Sequence, residues 1–161
     1  MRLALALPVA LALALGSCGY TTGIRASGRT VGVEYFGNAS LERDLERPLA
    51  DEISRVLRDV TDAPLVDPRQ ADLVVRGTIL EFRRRSGVRS TENELLETGI
   101  RVYVEAELHD ARAGRSISGP IREEVWVGFT LDQQDNEREA LDRALRNLAE
   151  ELVLDLFSAL D

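Results

Sequence analysis

Between Gly99 and Asp110 the chain alternates without a break. Ile100, Val102, Val104, Ala106 and Leu108 are apolar, and Arg101, Tyr103, Glu105, Glu107 and His109 are polar. A period of two places the first set on one face of a strand and the second on the other. This pattern describes a sheet with one buried face and one wet face, as antiparallel sheets commonly have.

Neighbouring segments supply further strands. Thr30 to Phe36 alternates Val31, Val33 and Tyr35 with Gly32, Glu34 and Phe36 and reads as a first strand, followed by a turn over Gly37 to Ser40. Leu73 to Arg83 reads as a second strand. Leu73, Val75, Gly77 and Ile79 lie on one side and Val74, Arg76, Thr78, Leu80 and Phe82 on the other. Neither side is polar throughout, which suits a central position. Ser86 to Thr98 reads as a hairpin loop, and Ala111 to Arg115 as a tight turn with Gly114 suited to a positive φ. Ser116 to Phe129 reads as the last strand, interrupted at Gly119-Pro120.

Two helical stripes supply a covering layer. Leu45, Leu49, Ile53, Val56, Leu57 and Val60 recur at spacings of three and four. Pro48 must fall in the first turn, so the helix is expected to start near Asp44, with Asp44 as N-cap, and to stop before Asp62. The last helix opens at Asp135, with Leu141, Leu145, Leu148, Leu152 and Leu156 as its stripe and Glu139 and Arg143 as a surface pair. The order β-α-β-β-β-α predicts an α+β fold: a two-layer sandwich in which two helices cover a four-stranded, mostly antiparallel sheet. A chain of 161 residues suits one such domain.

Charge narrows the function. There are 28 acidic residues against 20 basic ones, all Arg, for a net charge of −8, which argues against a nucleic-acid partner. One Cys rules out an internal disulfide, and one His with one Cys leaves no zinc site. His109 has no motif to supply a nucleophile or an orienting carboxylate, and no phosphate loop, GxSxG or HExxH occurs. The chain therefore reads as a non-enzyme without metal or cofactor; a hydrolase built on scattered carboxylates is the weaker alternative. Against this acidic background, residues 82–91 carry four Arg (Arg83, Arg84, Arg85 and Arg89) and no acid. Guanidinium groups contact phosphate bidentately. The cluster is a candidate site for a phosphorylated glycolipid or an anionic barrel surface, against the plainer reading of a solvated loop answered by Glu92, Glu94 and Glu97.

The N-terminus is Met1-Arg2 followed by an uncharged run from Leu3 to Leu15. That is shorter than the roughly 20 residues of a transmembrane helix and reads as a secretory signal. Leu15-Gly16-Ser17-Cys18 resembles the bacterial lipobox. The resemblance implies a signal peptide over 1–17, removed before Cys18, and an N-acyl diacylglyceryl anchor on Cys18 as the only attached group. Gly19, rather than Asp, implies sorting to the outer membrane. Residues 18–29 then form a lipid-anchored tether and residues 30–161 the folded domain. The mature chain would carry 19 basic and 28 acidic residues, a net of −9.

With Cys18-Gly19-Tyr20 and this element order, the chain resembles the LptE family of outer-membrane lipoproteins. The resemblance rests on Thr30 to Asn38 (TVGVEYFGN), Ala71 to Thr78 (ADLVVRGT), the strand and hairpin from Val104 to Arg115, and the helix from Glu137 to Leu152. It implies a lipoprotein on the periplasmic face of the outer membrane. Such a protein plugs and supports an LptD-type β-barrel, binds lipopolysaccharide and helps deliver it to the outer leaflet. Its partners would be that barrel, lipopolysaccharide and the inner leaflet through the anchor. The rival reading is a periplasmic lipoprotein adaptor or scaffold of another secretion or transport complex. If Cys18 is the anchor, Cys18→Ser abolishes incorporation of labelled palmitate and moves the protein out of the membrane fraction; palmitate retained by the variant contradicts it.

Overall fold

A computed structural model of the chain describes residues 23–86, 91, 97–130 and 136–160. The signal segment, Cys18, Arg89 and Asp135 lie outside them. The elements are β1 (Val31–Val33), β2 (Gly37–Asn38), α1 (Glu46–Val60), β3 (Leu73–Ser86), β4 (Glu97–Asp110), β5 (Arg115–Thr130) and α2 (Asn136–Ser158). The sheet runs β1-β3-β4-β5, with β2 pairing farther along β3. β1 and β2 are parallel to β3, and the other pairings are antiparallel. The two-layer α+β sandwich is therefore present, with a fifth, short strand. No helix among the described residues is long and apolar enough to cross a membrane.

The alternation of β4 sets the layers. Ile100, Val102, Val104 and Leu108 are fully buried, as are Leu148, Leu152, Leu156 and Phe157 of α2 and Leu49, Ile53 and Leu57 of α1. All belong to one apolar cluster. The first strand and its turn are where the reading has to be corrected. Val33 lies beside Val75 and Gly37 beside Thr78, so this edge uses one residue more than β3 does. The detour turns Phe36 inward, to 2% exposure, and leaves Tyr35 71% exposed. Gly37 and Asn38, read as a turn, are β2. Phe36 occupies the space over Gly77, where a Cβ would stand 2.6 Å from its ring and 2.3 Å from the Glu105 carbonyl oxygen. Gly77 is thus required by close approach rather than by its dihedral angles.

A second correction concerns faces. Ile79 pairs with Val104, but Glu81 pairs with Tyr103, so Leu80 is an extra residue in a bulge. The bulge exchanges the faces beyond it, and Phe82, read as lying opposite Ile79, packs against the core. Gly119-Pro120 does not break β5. The strand continues through two shifts of register, between Ile121 and Ser118 and between Ser118 and Ser116. Gly114 has φ +63°, as the turn requires.

Asp44 does not cap α1. It has φ +61°, a conformation Asp tolerates better than most residues, and the cap position falls to Leu45 with no side-chain hydrogen bond. Asn38 organises the lead-in instead. Its Nδ2 donates to the Glu42 carbonyl at 2.8 Å, and its Oδ1 accepts from the Ser40 amide at 2.9 Å. Pro48 is the third helical residue, where no intrahelical N–H is needed.

The segment before β1 joins the domain sooner than a free tether up to Arg29 would. The Ile24 amide donates to the Val60 carbonyl at 2.8 Å, and the Ala26 amide donates to Asp62 at 2.9 Å, with Ala26 fully buried. Asp72 latches this end. Its carboxylate accepts from the Thr30 amide at 3.0 Å and hydroxyl at 3.1 Å, and Arg112 approaches it at 2.6 Å. The Thr30 amide bond above all holds this carboxyl below its ordinary range.

One carboxyl sits where its surroundings disfavour the charged form. Glu123 pairs with Val104 and so lies on the helix-covered face, near Glu151 and Asp155 of α2. Burial first, then hydrogen bonding to Asp155 and repulsion from both acids, push its carboxyl up from the ordinary value of 4.5. A folded pKa above the unfolded one costs stability where the group is ionised; the cost begins to fade as pH falls to the folded value and is gone below the unfolded one. Glu123→Gln should therefore melt higher than the parent at pH 7, with the gap closing on acidification. Thermal melts across pH check this; a gap that does not narrow contradicts it.

Candidate functional site

Strand geometry divides the arginine cluster between two faces. Arg84 pairs with buried Ile100 and so lies on the helix-covered side, whereas Arg83 pairs with Arg101, on the uncovered side. The Arg84 guanidinium sits between two carboxylates, Glu42 at 3.0 Å and Glu137 at 2.5 Å, and 5.2 Å from the centroid of the Phe82 ring. These hydrogen bonds, to Glu137 first and Glu42 second, reinforce its cationic form. Arg84 therefore clamps the lead-in of α1 and the first turn of α2 to the hairpin, and its donors are engaged within the fold. The side chain of Arg85 is not among those described, and Arg89 lies outside the described residues.

The uncovered face is laid out in cross-strand rows. One row holds Arg83, Arg101 and Trp126, the next Glu81, Tyr103 and Glu124, and the one after Thr78, Glu105 and Arg122. Arg76 follows beside Glu107. Arg76 pairs with Glu107 at 2.6 Å and Arg122 with Glu105 at 2.7 Å; Arg101 pairs with Glu124 and Arg83 with Glu81. The Arg76 hydrogen bond is the main reason that the Glu107 carboxyl is held below its ordinary range. Such exposed pairs contribute at most about 1 kcal/mol each, so the ladder orients guanidinium groups more than it stabilises the sheet.

Trp126 stands out on this face at 57% exposure. A Cβ on Gly99 would lie 2.7 Å from its Nε1, and a Cβ on Gly128 would lie 2.9 Å from its Cη2. Gly99 and Gly128 are directly paired, so the indole bridges two strands where neither has a side chain. Nearer the other end, a cleft of about 490 Å³ is lined by Glu34, Tyr35, Arg76, Glu105, Glu107 and Pro120. His109 lies between Val74 and Ser116, half-buried, with its Nδ1 lacking a partner. Among the described residues, no His, Cys, Asp and Glu cluster is arranged to hold a metal ion. Sequence reading missed Trp126 and Arg101 as members of one row with Arg83, and missed Glu42 and Glu137 as partners of Arg84. The signal was present in Gly99, Trp126 and Gly128, but it needs the β4–β5 register to be read.

The two ends of the molecule differ. The described chain enters beside Val60 and Thr61, where Arg29 also reaches Asp110 at 3.8 Å. The Arg83–Trp126 row and the Ser86–Thr98 pair lie at the opposite end of the β3–β4 hairpin. With 14 residues in each strand, roughly 40–45 Å separates the two ends at about 3.3 Å per residue.

A family model described as LptE, lipopolysaccharide-assembly, matches residues 28–156, which runs from just before β1 nearly to the end of α2. Among solved structures, the chain is similar to rare lipoprotein B from Shewanella oneidensis (15% identity, 76% of this chain and 93% of that one, TM-score 0.50). It is also similar to an uncharacterized lipoprotein B from Nitrosomonas europaea (16% identity, 85% and 89%, TM-score 0.55). A third is a PelC dodecamer from Paraburkholderia phytofirmans (20% identity, 80% and 88%, TM-score 0.51). At these identities the likeness is one of fold. No curated protein matches the sequence.

Arg84→Ala should cost about 1 kcal/mol, because the clamp is half-exposed and charge-assisted, and the loss should be local. Hydrogen exchange would show the first-turn amides of α2 exchanging about five-fold faster, while mid-β4 amides are unchanged. Uniform protection in the variant would show that Arg84 clamps nothing.

Proposed function

The chain belongs to the LptE lipopolysaccharide-assembly family, and from that premise we propose that it is a lipid-anchored outer-membrane lipoprotein that partners and plugs an LptD-type β-barrel. The observation that carries the reading is the family match across the whole sandwich, from residue 28 to residue 156. The protein acts here by placement, with no catalytic step of its own. Acyl chains on Cys18 would hold it at the inner leaflet. Gly23 follows Cys18 by five residue steps, so the anchor would lie within about 18 Å of the described fold. The hairpin then projects its far end some 40 Å from the anchored one. That end leads into the barrel lumen, and the lipopolysaccharide-facing surface is the helix-free side of the sheet.

Arg83 is the cluster residue that lies on this side, and it is proposed to meet anionic lipid there; Arg85 and Arg89 are proposed with it on the sequence alone. Arg84 serves the clamp instead. The PelC dodecamer shares the fold, and that favours a second reading, in which the chain is a scaffold subunit of another secretion complex.

A C-terminal tag after Asp161 and extraction of the outer membrane in mild detergent test both. A large β-barrel recovered in near-equal amount is the expected result. Recovery of the lipoprotein alone, or within a ring or a secretion complex, would overturn the plug reading.

A further inference from the structure

We propose that Trp126, continued in its row by Arg101 and Arg83, is a stacking platform for a phosphorylated saccharide on the uncovered face of the sheet. The inference rests on the lipopolysaccharide-assembly reading for the kind of ligand, and it adds the place where a sugar is met.

Three observations carry it. The first is the attitude of the ring. The ideal Cβ positions of Gly99 and Gly128 both fall within 3 Å of indole atoms, near Nε1 on one side and Cη2 on the other. Nε1, Cε2, Cζ2 and Cη2 run along one long edge of the indole, so that edge rests over the two glycines and the remainder of the ring is left to solvent. Its exposure of 57% agrees. The second is placement: this is the only Trp in a chain with 5% aromatic residues, and it stands on the wet face while Phe36 and Phe157 are buried. The third is charge. Arg101 adjoins Trp126 and Arg83 adjoins Arg101 in the same cross-strand row. Strands lie about 4.8 Å apart, so a sugar ring stacked on the indole would carry a phosphate substituent over Arg101. Among the described residues, Arg101 pairs with Glu124 and Arg83 with Glu81; the Arg83 side chain is 68% exposed, so its guanidinium is open to a phosphate from solvent.

The chemistry fits the parts. Sugar C–H bonds on one ring face carry slight positive charge and meet the negative face of the indole. Guanidinium groups recognise phosphate through paired hydrogen bonds. A purely structural explanation also exists, since an aromatic ring across a sheet covers glycine backbone. A cover can be replaced by another apolar side chain, whereas a platform cannot.

The sole Trp reports on its own site. Full-length protein, in a detergent without a sugar headgroup, is titrated with trehalose 6-phosphate, trehalose and inorganic phosphate while indole fluorescence is followed. The expected result is a saturable change with trehalose 6-phosphate, about ten-fold weaker for the other two and about ten-fold weaker in Arg101→Gln. Trp126→Leu keeps the glycines covered, and calorimetry on that variant should show the binding lost with the melting temperature little changed. No saturable change, equal response to free phosphate, or undiminished affinity in Trp126→Leu would each overturn the platform. Because no barrel is present, the result is independent of whether one co-purifies.

Discussion

The pairing of β3 with β4 along their whole length is the interaction on which everything else depends. It carries the only strand whose two faces are unambiguous, and it transmits that division to its neighbours through register. On one side Ile100 to Leu108 demand an apolar cover, which the helices supply. On the other, residues from three strands fall into rows. The bulge at Leu80 is the adjustment that lets a strand with a mixed pattern follow a strand with a clean one. Without the extra residue, Phe82 would face water and Glu81 would face the core.

What was legible in the sequence was local and periodic. The β4 alternation, both helical stripes, the place of Pro48 and the positive φ of Gly114 follow from spacing or from the properties of one residue type. What was not legible depended on contacts between distant segments. β2 exists because Phe36 needs the space over Gly77, some forty residues away. Asp44 has the chemistry of a cap, yet the same side chain also tolerates the left-handed conformation that the approach to α1 demanded. Arg84 looked like one of four equivalent cations until its partners, 42 and 53 residues distant, were in view. Of the candidate anion cluster, the sequence could supply the charge but not the face, because a single bulge decides which arginines look outward.

The resulting molecule separates its tasks by end and by face. The end beside the N-terminal segment is tied down by Asp72 and Asp62. The far end is held by the Arg84 clamp. The helix-covered face stores the apolar burial, and the uncovered face bears arginine–glutamate pairs and the exposed indole of Trp126. Such a plan leaves a broad polar surface free of the demands of packing, so its side chains can be chosen for what they meet.

Among the described residues, β5 closes the sheet with a free margin sixteen residues long. Pro120 lacks an N–H, and two shifts of register crowd into the stretch from Ser116 to Ile121. A margin with a missing donor and uneven spacing is a poor template for another strand. The segment that reads as a flaw in the last strand thus guards the open margin of the sheet against strand addition by another chain.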